Sequence, residues 1–531
     1  MSSPNGSNHA MSSLGPPTEV KVRAARSPDA VPLRNGKSVS LDEVPRIALE
    51  EFRKLVILAP RQQRRVSALF GVARGDALEL FVVLASDAEG AVHVSRAVVE
   101  RDSYASMTPD CPQVHLFERE IAEEWGVVPE GHPWLKPVRF VRSRLPHRDA
   151  WKRSDGQAPA IGVTDFYRVE GDEVHEVAVG PVHAGVIEPG HFRFQCHGEE
   201  VLHLEISLGY QHRGVERALA GGPTKRTIHY METLAGDTTV GHATAYCQAV
   251  EELSTSRASA RAQSLRAIAL ELERLANHVG GLGALANDVG YLPTASFCGR
   301  LRGDFLNLTA MLCGSRFGRG LIRPGGVGFD LDAVRAKHMG DQLTAALRDV
   351  ENAVELLWEA ASVQARFEGT GPLSRANAEA LGLVGVAARA CGLERDVRHD
   401  FPTGLFRLAQ IPISVAKSGD VFARAYVRWL EVRRSGAFVA EQMRALPAGG
   451  RQNPCGPLRP NRLCVSLTEG WRGEICHVAI TDAEGRFAAY KIVDPSFHNW
   501  MGLALALRGQ QISDFPLCNK SFDLSYCGHD L

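Results

Sequence analysis

The stretch Ala269–Asp288, ALELERLANHVGGLGALAND, decides how this chain is to be read. Its apolar residues recur at the period of a helix face. The GGLGAL inside it has the glycines of a dinucleotide loop, but no strand precedes it. The glycines are therefore read as places where helices pack closely. Outward from this stretch, the chain from about Val215 to Leu446 is rich in alanine and leucine and reads as mainly helical.

On either side the pattern changes to strands. ALFGVA and LELFVVLAS, within Leu69 to Val98, flank the turn-like RGDA. HLFEREIAEEWGV follows, with Leu116, Ile121 and Trp125 at helical spacing, and then the loop EGHPWLKP. Residues 146–164 are polar and broken by Pro and Gly, as a linker would be. EVHEVAVG and VLHLEISLG alternate as strands. So do RLCVSLTEG, EICHVAITDAEG and RFAAYKIVD, with DAEG as a hairpin turn. Residues 1–40 are rich in Ser, Pro, Gly and Asn and are expected to form a disordered tail.

Composition excludes several classes. Sixty basic and 61 acidic residues leave a net charge of -1, which gives nucleic acid no electrostatic footprint. No apolar run is long enough to span a membrane, and no signal core opens the chain. The 11 cysteines show no C-x-x-C pair, so they read as reduced and buried rather than as a zinc ribbon or disulfide frame.

Four clusters hold polar residues in patterns that chemistry uses. Gly180-Pro181-Val182-His183 runs on to Glu188-Pro189-Gly190-His191, a strand-turn that would present two imidazoles to a cavity, or leave them on a surface loop. GYQHRGVER, residues 209–217, joins a strand to a helix; Glu216 falls in the first helical turn, where the macrodipole favours a carboxylate. RFGRGLIRPGG, residues 316–326, puts three arginines among glycines, suited to carboxylates across a subunit boundary or to solvent. The apolar terminus from Phe515 to Leu531 is expected to dock.

These clusters occur together and in order in one family. Residues 165–531 resemble the large subunit of group 4 membrane-bound hydrogenases, of the formate hydrogenlyase type, and equally the quinone-side D-type subunit of complex I. The matching stretches are GPVHAGVIEPGHFRF, GYQHRGVERAL, VGHATAYCQAVEEL, LELERLANHVGGLG, RFGRGLIRPGGV, GWRGEICHVAITD and KIVDPSFHNW. Residues 41–145 resemble the C-type subunit of complex I through Phe117-Glu118-Arg119-Glu120 and Glu130-Gly131-His132-Pro133. The resemblance implies an α+β fold: a small N-terminal α+β domain, then a large-subunit-like domain, mainly a helical bundle with flanking small β-structures.

The resemblance also says where a nickel–iron centre would be held, by two cysteine pairs whose soft thiolates bind and bridge the metals. Those positions here are Ala235, Thr238, Ser525 and Gly528, and Cys527 is one residue out of register. No metal is expected. The tyrosine that holds a quinone head group in complex I falls at Gly236; Tyr230 and Tyr246 are the nearest alternatives. His183, His191, Asp237 and Glu216 are the candidate head-group donors or proton relay, with His242 beside the old site. Asp237 would titrate there or cap a helix.

By resemblance, the chain is one subunit of a membrane-associated oxidoreductase complex, cytoplasmic and peripheral on the inner face of the cell membrane. It binds no cofactor of its own. Iron–sulfur clusters sit in a small partner subunit, membrane subunits complete the assembly, and a quinone in the emptied cavity is the expected acceptor. The alternative from the same resemblance is a non-catalytic structural or coupling subunit.

Overall fold

The computed structural model describes residues 29–145, 147–154, 157, 159–183 and 187–531. Its secondary structure is mixed. Strands gather toward the two ends of the chain, and long helices fill the middle.

The first sheet is antiparallel. Val31–Leu33 pairs with Ala91–Val99, which pairs with Ala77–Ser86, which pairs with Arg64–Arg74. The RGDA turn joins the last two, as its sequence predicts. The helix His115–Trp125 lies against Arg64–Arg74 and ends at Gly126, whose left-handed backbone (φ 65°) suits glycine.

A second antiparallel sheet is built from Arg462–Glu469, Glu474–Thr481 and Phe487–Val493, closed by the DAEG turn. Its fourth strand is Lys37–Ser40, which places Val39 opposite Leu463. The disordered tail expected over residues 1–40 is therefore corrected from Val31 onward; residues 1–28 lie outside the described residues. The short run from Val31 to Ser40 feeds one strand into each sheet. The two sheets accordingly share one apolar core, in which Val39, Val83, Leu463 and Phe497 are all buried.

The long helices build a second apolar core. Ala260–Asp288 is capped by Ser259, whose hydroxyl accepts from Ala262 N. It packs on Leu292–Cys313 and on Val421–Arg444, and both of these meet Ala333–Glu359. The expected close packing at GGLGAL is present: a Cβ on Gly283 would come within 2.7 Å of Cys298 Cβ. The other face of Ala260–Asp288 carries buried charge. Arg274 reaches Glu271 and Glu431, and Arg389 reaches Glu431 and Glu469. These residues are excluded from solvent and pair with one another, as buried charge must.

A three-stranded sheet, Val174–Val179, His191–His197 and Glu200–Ser207, packs against the C-terminal helices. The terminus docks as expected. Leu531 is buried, and Asp530 accepts from Gly209 N (2.8 Å) and Gln211 N (2.9 Å), holding the GYQHRG turn. All 11 cysteines are free, and nine are buried.

Candidate functional site

The site is assembled from three loops. The first is Leu234–Thr239, which opens the helix Thr239–Leu253. The second is the turn Gly470–Gly473 between strands. The third is the C-terminal run from Asp523. Arg274 fixes the second by donating to Glu469 O (2.8 Å) and Gly470 O (3.1 Å). That turn also crosses Gly385 so closely that a Cβ there would lie 1.9 Å from Arg472 O. Arg472 therefore stands in a fixed place.

From that place its guanidinium takes both oxygens of Asp237, at 2.7 and 2.8 Å. It also donates to Thr238 Oγ1 (3.2 Å) and, through Nε, to Asp523 O (2.5 Å). One cation thus ties the first loop to the C-terminal run. Burial opposes the charge on Asp237, but Arg472 outweighs it and holds the carboxyl below its ordinary range. Trp471 Nε1 and Asn277 Nδ2 both donate to Asp237 O.

Behind this pair runs a buried chain of four titratable groups. His242 Nε2 is 3.1 Å from Asp494 Oδ2 and His242 Nδ1 is 3.1 Å from His477 Nε2; His477 Nδ1 is 3.0 Å from Tyr490 Oη. One arrangement satisfies all three bonds without adding a positive charge. Tyr490 donates to His477, His477 donates to His242, and His242 donates to Asp494. Burial pushes His477 well below the ordinary histidine range. Burial also opposes the charge on Asp494, but the His242 bond and nearby Arg472 hold that carboxyl down.

The four positions at which the resemblance expects metal-binding thiolates lie around this network, and the residues present do not fit a nickel–iron centre. Ala235 is fully buried and carries no donor. Thr238 is engaged by Arg472. Ser525 caps the last helix by accepting from Gly528 N (2.9 Å). Gly528 has no room for a thiol, because a Cβ there would meet the Asp494 carboxylate at 2.7 Å. The neighbouring Cys527 thiol is pushed up to about 12 by burial and by Glu188, so it stays protonated.

The sequence candidates divide. Asp237 and His242 belong to the network. His191 is buried in the hairpin, with Nδ1 near Gly180 O (3.2 Å) and Nε2 accepting from Arg193. His183 is half-buried, with Nε2 at Gly190 O (3.0 Å). Ala184–Val186, which follow it, lie outside the described residues. The hairpin meets the C-terminal run through Glu188, which accepts from Tyr526 N (3.4 Å). Glu216 joins other partners. Among the described residues, Glu120, Glu124 and Glu216 alone group closely enough to hold a metal ion, but each already has a cation: Arg139 and Lys491 on Glu120, Lys491 on Glu216 and Arg144 on Glu124. Tyr246 is buried and Tyr230 partly exposed.

Sequence reasoning misses Arg472, His477 and Asp494 as site residues, although they lie in GWRGEICHVAITD and KIVDPSFHNW. The signal available is an imidazole inside an otherwise apolar strand for His477, an arginine in a glycine-bounded turn for Arg472, and an Asp directly before Pro-Ser, a helix-capping pattern, for Asp494.

The family described as respiratory-chain NADH dehydrogenase, 49 Kd subunit, matches residues 288–456, and the 30 Kd subunit family matches residues 46–152. Carbon monoxide-induced hydrogenase of Rhodospirillum rubrum is 31% identical over 352 residues, covering 66% of this chain and 97% of that protein. The chain belongs to the complex I and group 4 hydrogenase large-subunit family. In this family it is a fusion of the 30 Kd-like and 49 Kd-like parts. Formate hydrogenlyase subunit 5 of Escherichia coli (strain K12) is 28% identical over 80% of the chain and 76% of that protein. NADH-quinone oxidoreductase subunit 4 of Thermus thermophilus is 28% identical over 66% of the chain and 92% of that protein. No helix among the described residues is long and apolar enough to cross a membrane.

Proposed function

We propose that this chain is a structural and coupling subunit of a complex I-like or hydrogenase-related oxidoreductase, in which the ancestral metal site has become a closed polar joint. The observation that carries this reading is the bidentate Asp237–Arg472 pair, together with Asp494 standing where a thiol on Gly528 would go. In place of a metal, a guanidinium now links the first loop to the C-terminal run. The proposal includes an iron–sulfur small subunit and membrane subunits as partners, with the chain peripheral at the cytoplasmic face of the membrane.

A quinone in the vacated cavity is the second reading, favoured by the half-buried His183 on the hairpin that meets the C-terminal run. The two readings separate in the purified complex. Quinone-dependent oxidation should be unchanged, within about twofold, in His183→Ala and His191→Ala complexes that remain assembled. A drop beyond tenfold in an intact complex would replace the structural reading with the quinone one.

A further inference from the structure

The motif Phe117-Glu118-Arg119-Glu120 in the 30 Kd-like part is only partly explained by the fold. Glu118 organises the turn before its helix, accepting from Met107 N (2.9 Å) and Thr108 N (3.0 Å). Glu120 pairs with Arg139 and Lys491. Arg119 does neither. It is buried, at 6% exposure, and no ion pair joins it to a carboxylate among the described residues, although Glu123 and Glu205 are near enough to favour its charge. Its Nε and Nη2 go to the carbonyls of Lys136 (2.8 Å) and Pro137 (2.9 Å), and its guanidinium stacks 4.7 Å from the Trp134 ring.

Arg119 lines a cavity of about 40 Å³ between the two halves of the chain, together with His115, Trp134, Ser207, Trp500 and His529. No acidic residue lines it. Two of its polar groups are unsatisfied: the Trp500 indole N–H, on a residue only 3% exposed, and His115 Nδ1. A buried N–H without an acceptor costs about 1–3 kcal/mol, and a buried cation without an anion costs more. Burial drives Arg119 down to about 10 and His115 down to about 3. A water needs roughly 10–15 Å³ of such space, so the cavity of about 40 Å³ holds roughly three to four non-hydrogen atoms.

We infer that this cavity is a binding site for a small monovalent oxyanion of formate or nitrate size, held by Arg119 and the Trp500 indole N–H. The anion supplies the acceptor that Trp500 lacks and a direct ion-pair partner for Arg119, whose buried charge Glu123 and Glu205 offset only in part. The site is independent of the joint at Arg472.

The test uses the purified full chain, with unfolding followed by circular dichroism in sodium nitrate and in sodium formate. Gluconate, too large for the cavity, holds the ionic strength constant. Both small anions should raise the unfolding midpoint saturably. Trp500→Phe keeps the ring packing and removes the donor, and should raise the half-saturating concentration about tenfold, the effect of ~1.4 kcal/mol. Arg119→Met should abolish the response; if that variant fails to fold, Trp500→Phe still decides. No saturable rise with either anion overturns the site, as does a Trp500→Phe response equal to that of the unaltered chain.

Discussion

Arg472 meets Asp237 through two parallel bonds, 2.7 Å from Nη1 to Oδ1 and 2.8 Å from Nη2 to Oδ2. By the resemblance, these are the two loops that cysteine pairs would draw onto a metal. Here a charge pair does so, and the cost of losing one partner follows from burial. The Arg472 side chain is 6% exposed, while Asp237 is 32% exposed. Truncating the arginine therefore leaves a carboxylate that water partly reaches. Arg472→Met should cost about 2 kcal/mol, below the ~3–5 of a fully buried pair. Urea unfolding at pH 7 measures it. Asp237→Asn strands the more deeply buried Arg472 and should cost at least as much, although the amide oxygen still accepts one bond.

The same pair sets an acid limit. The Asp237 carboxyl is held below its ordinary range in the folded chain. Its stabilisation is therefore present above the unfolded value of about 4 and is lost as pH falls through the folded value. The stability gap between the unaltered chain and Asp237→Asn should narrow below pH 4. A gap that stays constant down to pH 3 would mean that the pair contributes no charge-dependent stability.

Gly528 allows a separate test. A Cβ there lies 2.7 Å from the Asp494 carboxylate, and that carboxylate caps the helix Pro495–Ala506 by accepting from Ser496 N. Gly528→Ala should destabilise by about 1–3 kcal/mol through overpacking. Asp494→Ser keeps a shorter cap and clears space. The two substitutions combined should cost less than their sum. Strict additivity would show that the contact is absent in solution.

How much of this was legible beforehand depends on how local the signal is. Ala269–Asp288 declared its helix through periodicity, and DAEG declared its turn, because both patterns lie within a few residues. Lys37–Ser40 has no such pattern. Its strand exists because Val39 finds Leu463 across more than 400 residues. The site divides in the same way. The missing thiols could be read position by position at Ala235, Thr238, Ser525 and Gly528. That Arg472 would reach Asp237, or that Asp494 would stand against Gly528, could not be read, because each pairing depends on the turn at Gly470–Gly473 and the docked terminus. Glu216 looked like a helix-dipole carboxylate and became part of a charge cluster with Lys491, an element far along the chain.

That cluster fastens the 30 Kd-like part to the rest. Lys491 Nζ lies 2.6 Å from Glu120 and 3.1 Å from Glu216, and all three are buried. Arg139 also neutralises Glu120, which is held down to about 2 despite its burial. Glu216 has Lys491 as its ion-pair partner among the described residues. Lys491→Met should therefore cost about 3–5 kcal/mol, chiefly by stranding Glu216. Lys491→Met combined with Glu216→Gln should recover part of that loss. If the double variant is no more stable than the single one, the cost lies in Glu120 instead.

His498 gives the last pH test. It is buried beside Phe117, and burial pushes it down to about 4. A histidine with a depressed folded value is neutral when native and protonates on unfolding. Its contribution to stability is complete above the unfolded value of about 6.5 and falls as pH drops toward 4. The loss is about 1.4 kcal/mol for each pH unit within that window. His498→Gln removes this proton uptake. Urea midpoints at pH 7, 6 and 5 should fall less steeply for the variant than for the unaltered chain, although its stability at pH 7 is lower. Equal slopes would mean that His498 takes its proton in the folded state.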